Sequence, residues 1–309
     1  MNSPSNAMPD SFGSEPITPA ALAPTRPFYW SVRRELWEYR SIYLAPLAIA
    51  GVILLSFIIV LIHLPETMRA AMALDPMHQR DTIAHPFEVA GGLIMGAAFL
   101  VSIFYALDCL YGERRDRSIL FWKSLPVSDL TAVLAKATVP LLILPVFAFA
   151  ITLAATSIMF LLGSMVLATN GLSVATFWTL LQPFPVLGML LYHLVTIHML
   201  WYAPLYAWLL LVSAWSRRAP FLWAVLPPLA VGIFERIAFH SSLFADFLAN
   251  RVGGGREAVD TMQGDVPIHP GMHLTPGAFL ATPGLWGGLI FTAIFLVLAA
   301  RMRRARGPV

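Results

Sequence analysis

Gly112–Lys136 reads GERRDRSILFWKSLPVSDLTAVLAK, and its reading decides the fold. Glu113, Arg114, Arg115, Asp116 and Arg117 are five consecutive charges in a chain that is only 12% charged. Ile119, Leu120, Phe121 and Trp122 follow directly, and Pro126 closes the run. Glu113 and Arg117 are four apart with the acid first, the favourable order for a helical ion pair. A short helix with a charged start and an aromatic end can lie along a membrane surface while presenting its charges to a partner. The plainer alternative is a solvated loop with ordinary juxtamembrane arginines.

The stretch stands out because nearly everything around it is apolar. Hydrophobic residues make up 58% of 309, and the mean hydropathy is +0.72. That composition describes a multi-pass, all-α integral membrane protein, so the pI near 9.2 is no argument for nucleic acid. A single cysteine, Cys109, excludes an internal disulfide and a cysteine-based metal cluster.

Working outward, residues 1–27 carry six prolines and no basic residue before Arg26, which predicts a disordered tail rather than a signal peptide. Residues 28–309 form one six-span domain. Phe28–Arg40, FYWSVRRELWEYR, predicts an interfacial amphipathic helix feeding the first span. Apolar runs long enough to cross a roughly 30 Å hydrocarbon core fall at about 42–64, 87–111, 137–167, 186–215, 221–240 and 284–300. Residues 65–86 and 241–283 read as polar loops. Gly91, Gly92, Gly96 and Ala97 offer a small-residue packing face on the second span, and Pro140 and Pro145 bend the third. With the N-terminus inside, fifteen of the twenty basic residues fall on the cytoplasmic side, which places both termini and the 112–136 stretch there.

Few residues suggest chemistry. A P-loop needs Gly-Lys followed by Ser or Thr, but the only lysines, Lys123 and Lys136, follow Trp122 and Ala135. No G-x-S-x-G occurs either. His193 and His198 are five apart, about 140° around an α-helix, so they do not share a face. His63, His78, His85, His269 and His273 would be the ligands of an outward metal site, though loop and packing roles suit them better, and no metal is expected. Glu235 and Arg236 lie well inside the fifth span, where ionisable groups suggest a translocation path or a subunit contact. Their alternative is to snorkel to the outer interface. Asp108, near Arg114 and Arg115, suits a structural ion pair.

Tyr111–Lys136 resembles the first cytoplasmic loop of ABC-2 type permeases, the membrane subunits of bacterial ATP-binding-cassette exporters. A glutamate–arginine pair, the SILFWKSLPVS run and a following lysine carry the resemblance. It implies a permease half in the bacterial inner membrane that pairs with a second half and docks a separate ATPase. Glu113–Leu125 would be the coupling helix, with Glu113, Arg114, Arg115, Asp116, Arg117, Phe121 and Trp122 as coupling residues. ATP and Mg would be bound by the ATPase, not by this chain. The alternative class is a stand-alone ion-driven carrier or an intramembrane enzyme. A carrier should show repeated halves with paired broken helices, and an enzyme should gather catalytic groups at one depth. Neither pattern is apparent in the sequence.

Overall fold

The computed structural model describes residues 25–253 and 276–308, and among these the regular structure is entirely helical. The expected tail falls almost wholly outside them, as do about half of the 241–283 segment and both His269 and His273. The described half of that segment, expected as loop, is largely helical, Leu243–Val252 and Pro276–Ala281.

Helix α1, Thr25–Glu38, is the predicted amphipathic helix. It buries Glu35 and exposes Tyr29, Trp30 and Trp37. Helix α2, Ser41–Ala71, and helix α3, Pro76–Arg115, are longer than the apolar runs that predicted them. The polar loop expected over residues 65–86 is therefore only the turn between these two helices. The helices continue because Pro76 occupies the first turn of α3, where a missing N–H costs nothing. Pro65 and Pro86 are absorbed within α2 and α3. Leu64, Met68, Ala71, Ile83 and Ala84 of these extensions pack with Phe160, Leu167, Phe177 and Leu181, so they are core rather than loop.

Helix α4 is short, Ile119–Ser124, and α5 spans Asp129–Thr138. Ser128 caps α5 by accepting the Thr131 N–H at 3.0 Å. A π-helical segment, Val139–Ile143, joins α5 to α6, Leu144–Thr169. Pro140 and Pro145 bracket this widened turn, so the prolines expected to bend the third span change its helical pitch there. Helix α7, Val174–Leu181, ends at Gln182, which is left-handed at φ 43°. From Pro183 the backbone runs through α8, Pro183–His193, a second π segment, Leu194–Trp201, and α9, Ala203–Trp215. Then come α10, Pro220–Phe239, α11, Leu243–Val252, α12, Pro276–Ala281, and α13, Pro283–Ala305.

Six stretches are long and apolar enough to cross a membrane: Ser41–Ala71, His78–Arg115, Asp129–Thr169, Val174–Trp201, Pro220–Phe239 and Pro283–Ala305. The fourth differs from the expected 186–215, since it begins in α7 and α9 follows it as a further apolar helix. Helix α3 is central, packing against α2, α6 and α9, while α13 lies along α9. Their small residues permit the approach: Ala90, Ala98, Ala106, Ala207, Ala214 and Ala299 are all buried in one core. Gly91 meets Thr152, but Gly92 and Gly96 face open space, so only part of the predicted small-residue face is used within the chain. Helix α10 buries only Ala224 and stands at the periphery.

Candidate functional site: a buried charge cluster beneath the 116–125 loop

Three helices deliver acids and three deliver cations to one place. Helix α1 brings Arg34 and Glu35, α3 brings Glu113, α5 brings Asp129 and Lys136, and α13 brings Arg303. Lys136 Nζ donates to both carboxylate oxygens of Glu35, at 2.8 and 2.9 Å, and lies 3.2 Å from Glu113 Oε1. Arg34 bonds Glu113 and sits 3.0 Å from Glu35 Oε1. Arg303 reaches Glu113 at 3.5 Å and also bonds Asp129. The Tyr105 hydroxyl donates to Glu35 Oε2 at 2.8 Å. Glu35, Glu113 and Lys136 are each at most 2% exposed. Burial at that level is costly for a lone ion, and three acids against three bases is the composition that makes it tolerable.

Around this centre the surrounding groups are pinned. Burial opposes the charge on Arg34, but Glu35 and Glu113 outweigh it and hold the guanidinium above its ordinary value. Burial, more than the nearby anionic groups, pushes the Tyr39 phenol well up, so it stays a neutral donor, to Asp108 Oδ2 at 3.3 Å. Trp122 of α4 lies over Arg34, with the guanidinium carbon 3.8 Å from the ring centroid. Ile119 is buried, and Lys123 Nζ donates to the Arg304 and Arg306 carbonyls at 3.3 and 3.2 Å. The loop is thereby fastened to α1, to α3 and to the C-terminal end of α13.

These contacts revise the reading of the 112–136 stretch. The Glu113–Arg117 helical pair does not form, because α3 ends at Arg115 and Arg117 is left-handed at φ 59°. Glu113 and Arg114 face inward rather than toward a partner. Arg114 Nη1 donates to the carbonyls of Ala214 and Ser216 at 2.6 and 3.0 Å, closing the ends of α3 and α9 together. The expected helix over Glu113–Leu125 is instead the end of α3, a turn and the six residues of α4. Arg115, Asp116 and Arg117 remain exposed, with Leu120 and Phe121 beside them. Of the ILFW run, Ile119 is buried and Trp122 packs on Arg34, while Leu120 and Phe121 are exposed.

Asp108 does pair with Arg115, at 3.7 Å, but both side chains are about half exposed and Arg114 has no part in it. Glu235 is neither free nor paired with Arg236. Its carboxylate accepts from the N–H groups of Leu243 and Phe244, both at 2.9 Å, and from Ser241 Oγ at 2.6 Å. It therefore caps the start of α11, while Arg236 is exposed. The backbone from Leu194 to Trp201 is π-helical and turns less per residue than an α-helix, so the 140° separation expected of His193 and His198 does not apply there. Among the described residues no three His, Cys, Asp or Glu side chains come together as a metal site.

Sequence reasoning missed Glu35, Asp129, Lys136 and Arg303 as a unit. One signal for them existed: Lys136 is one of only two lysines and stands directly before the third apolar run. No family profile, curated protein or solved structure matches this chain.

Proposed function

We propose that this chain is the membrane-spanning subunit of an ATP-driven exporter of the ABC-2 permease type, docking a separate ATPase through the 115–121 surface. The observation that carries this is the two-sidedness of the loop. Ile119 is buried, Trp122 packs on Arg34 of the charge cluster and Lys123 ties the loop to the end of α13, while Arg115, Asp116, Arg117, Leu120 and Phe121 are exposed together. A surface meant to pass a push into the spans needs both properties: a free outer face for the motor and a stiff mount beneath it. Neither lysine lies in a Walker motif, which suits a division of labour in which the partner binds ATP and Mg. A second permease half, identical or not, and a bacterial inner membrane belong to the same proposal.

An ion-driven carrier is the reading the two π segments favour, since interrupted helices within spans are a feature of such proteins. The test that separates them is co-purification with an ABC-type ATPase co-expressed from the same source. Arg117→Glu combined with Phe121→Asp should reduce capture of that ATPase and its permease-stimulated turnover, with membrane insertion unchanged. An unreduced capture and turnover would remove the docking surface.

A further inference from the structure

A cleft of about 450 Å³ opens beside the charge cluster, between α1 and the segment from Trp122 to Ala132. Its size is that of a small-ligand pocket. Leu125, Pro126, Val127 and Ala132 give it an apolar wall, and α1 supplies Trp30, Trp37 and Arg33 opposite. The charges in it are not equivalent. Arg34 and Arg303 are already neutralised by Glu113 and Asp129. Arg33 has no carboxylate within reach among the described residues, and its guanidinium is held between Trp30 and Trp37, 5.1 and 4.6 Å from the two ring centroids. The cleft therefore presents one uncompensated cation in a cage of aromatic rings above an apolar wall.

The position narrows the occupant. Helix α1 ends at Glu38 and the first span begins at Ser41, so the cleft sits where the chain enters the bilayer. Exposed Tyr29, Trp30 and Trp37 form the aromatic belt expected at headgroup depth. An amphiphile with an anionic head and an apolar tail matches the cleft in charge, in polarity gradient and in location. We propose that it binds one anionic phospholipid, with the phosphate at Arg33 and the start of an acyl chain along Leu125–Ala132. The lipid would wedge α1 against the base of α4, which makes the mounting of the loop sensitive to the surrounding membrane.

The test uses the full chain purified in detergent and titrated with short-chain phosphatidylglycerol, phosphatidylcholine or inorganic phosphate. Retained lipid is counted by native mass spectrometry and thermal unfolding is followed in parallel. The parent should retain one phosphatidylglycerol and be stabilised by it, with little response to phosphatidylcholine or to phosphate alone. Arg33→Gln should weaken retention about fivefold, the effect of one arginine near an anionic headgroup. Ala132→Phe, which fills the cleft and leaves Arg33 in place, should weaken it as well. Equal retention of the two lipids, or retention unchanged in both variants, would overturn the assignment. So would a loss of ATPase capture in Arg33→Gln with lipid retention intact, which would make the cleft a protein contact.

Discussion

Replacing Lys136 by Met tests whether the charge cluster acts as a mount for the loop. The substitution keeps the length and bulk of the side chain and removes one charge that touches two carboxylates, at 2.8 and 3.2 Å. Glu35 would keep Arg34 at 3.0 Å and the Tyr105 hydroxyl at 2.8 Å, and Glu113 would keep Arg34 and Arg303. The cluster nevertheless changes from three acids against three bases to three against two, with the excess charge enclosed. Removing one partner of a buried pair costs about 3–5 kcal/mol, mostly the penalty of stranding the other. At about 2–4 °C per kcal/mol for a chain approaching this size, the detergent-solubilised protein should unfold on the order of 10 °C lower. Arg115→Gln is the control: it breaks an ion pair of similar type whose side chains are 54% and 42% exposed, and should cost under about 1 kcal/mol. The double variant Lys136→Met, Glu35→Gln restores the balance of charge and should be less destabilised than the sum of its parts by about 1–3 kcal/mol. Thermal unfolding of Lys136→Met within about 2 °C of the parent, or strict additivity in the cycle, would refute the idea that these six side chains act as one unit.

Four further outcomes follow from other parts of the molecule. Glu235→Gln should cost about 0.5–2 kcal/mol and raise hydrogen exchange in Leu243–Val252, because it weakens the cap on α11; exchange unchanged there would return Glu235 to the transport path. Gly288→Ala should displace Arg251, whose guanidinium occupies the space a Cβ would need, and so disturb its stacking on Trp201, 4.3 Å away; an unchanged thermal transition and tryptophan emission would count against that packing. Arg117→Gly should stabilise by up to about 1 kcal/mol, since a left-handed φ of 59° is strained for arginine and free for glycine; a loss of stability would mean the Arg117 side chain matters more than its backbone. Reporter fusions after Lys123 and after Arg306 should score on the same side of the membrane, because Lys123 bonds the Arg306 carbonyl, and a fusion near Gly254 should score on the other; any other pattern would break the six-span arrangement.

The spans were legible because burying about 20 apolar residues leaves a composition that no polar environment would permit. Helix α1 was legible as well, from its interleaved aromatics and arginines. What escaped was set by contacts between residues distant in sequence. Glu35, Glu113 and Lys136 sit on three helices, so no local spacing links them. Glu113 and Arg117 have the spacing of a helical pair, but the local rule holds only while the backbone stays helical, and α3 stops between them. The opposite failure occurred at His193 and His198. There the helix continues, but in a π form, so the α-helical period used to separate the two residues does not hold. The loop expected over 65–86 failed for a third reason. Charged residues on that segment marked it as loop, whereas only one face of each helical extension needs to be apolar to pack against Phe160 and Phe177.

The same distinction bears on how the loop would work. A surface loop held by a few apolar contacts can yield gradually, because each contact weakens a little at a time. The 116–125 loop is held differently. Trp122 lies on Arg34, Arg34 is shared between Glu35 and Glu113, and those acids are shared with Lys136 and Arg303. Moving any one of these groups away by a few ångströms leaves a buried charge without its partner, so partial displacement is the expensive outcome. The ends of α1, α3, α5 and α13 are therefore constrained to move together or not at all. Displacement applied at Phe121 would reach the first, second, third and sixth spans at once, while α10, which buries only Ala224, is left outside the linkage. Under the proposed function, that makes α10 the span most able to shift relative to the others when the loop is driven.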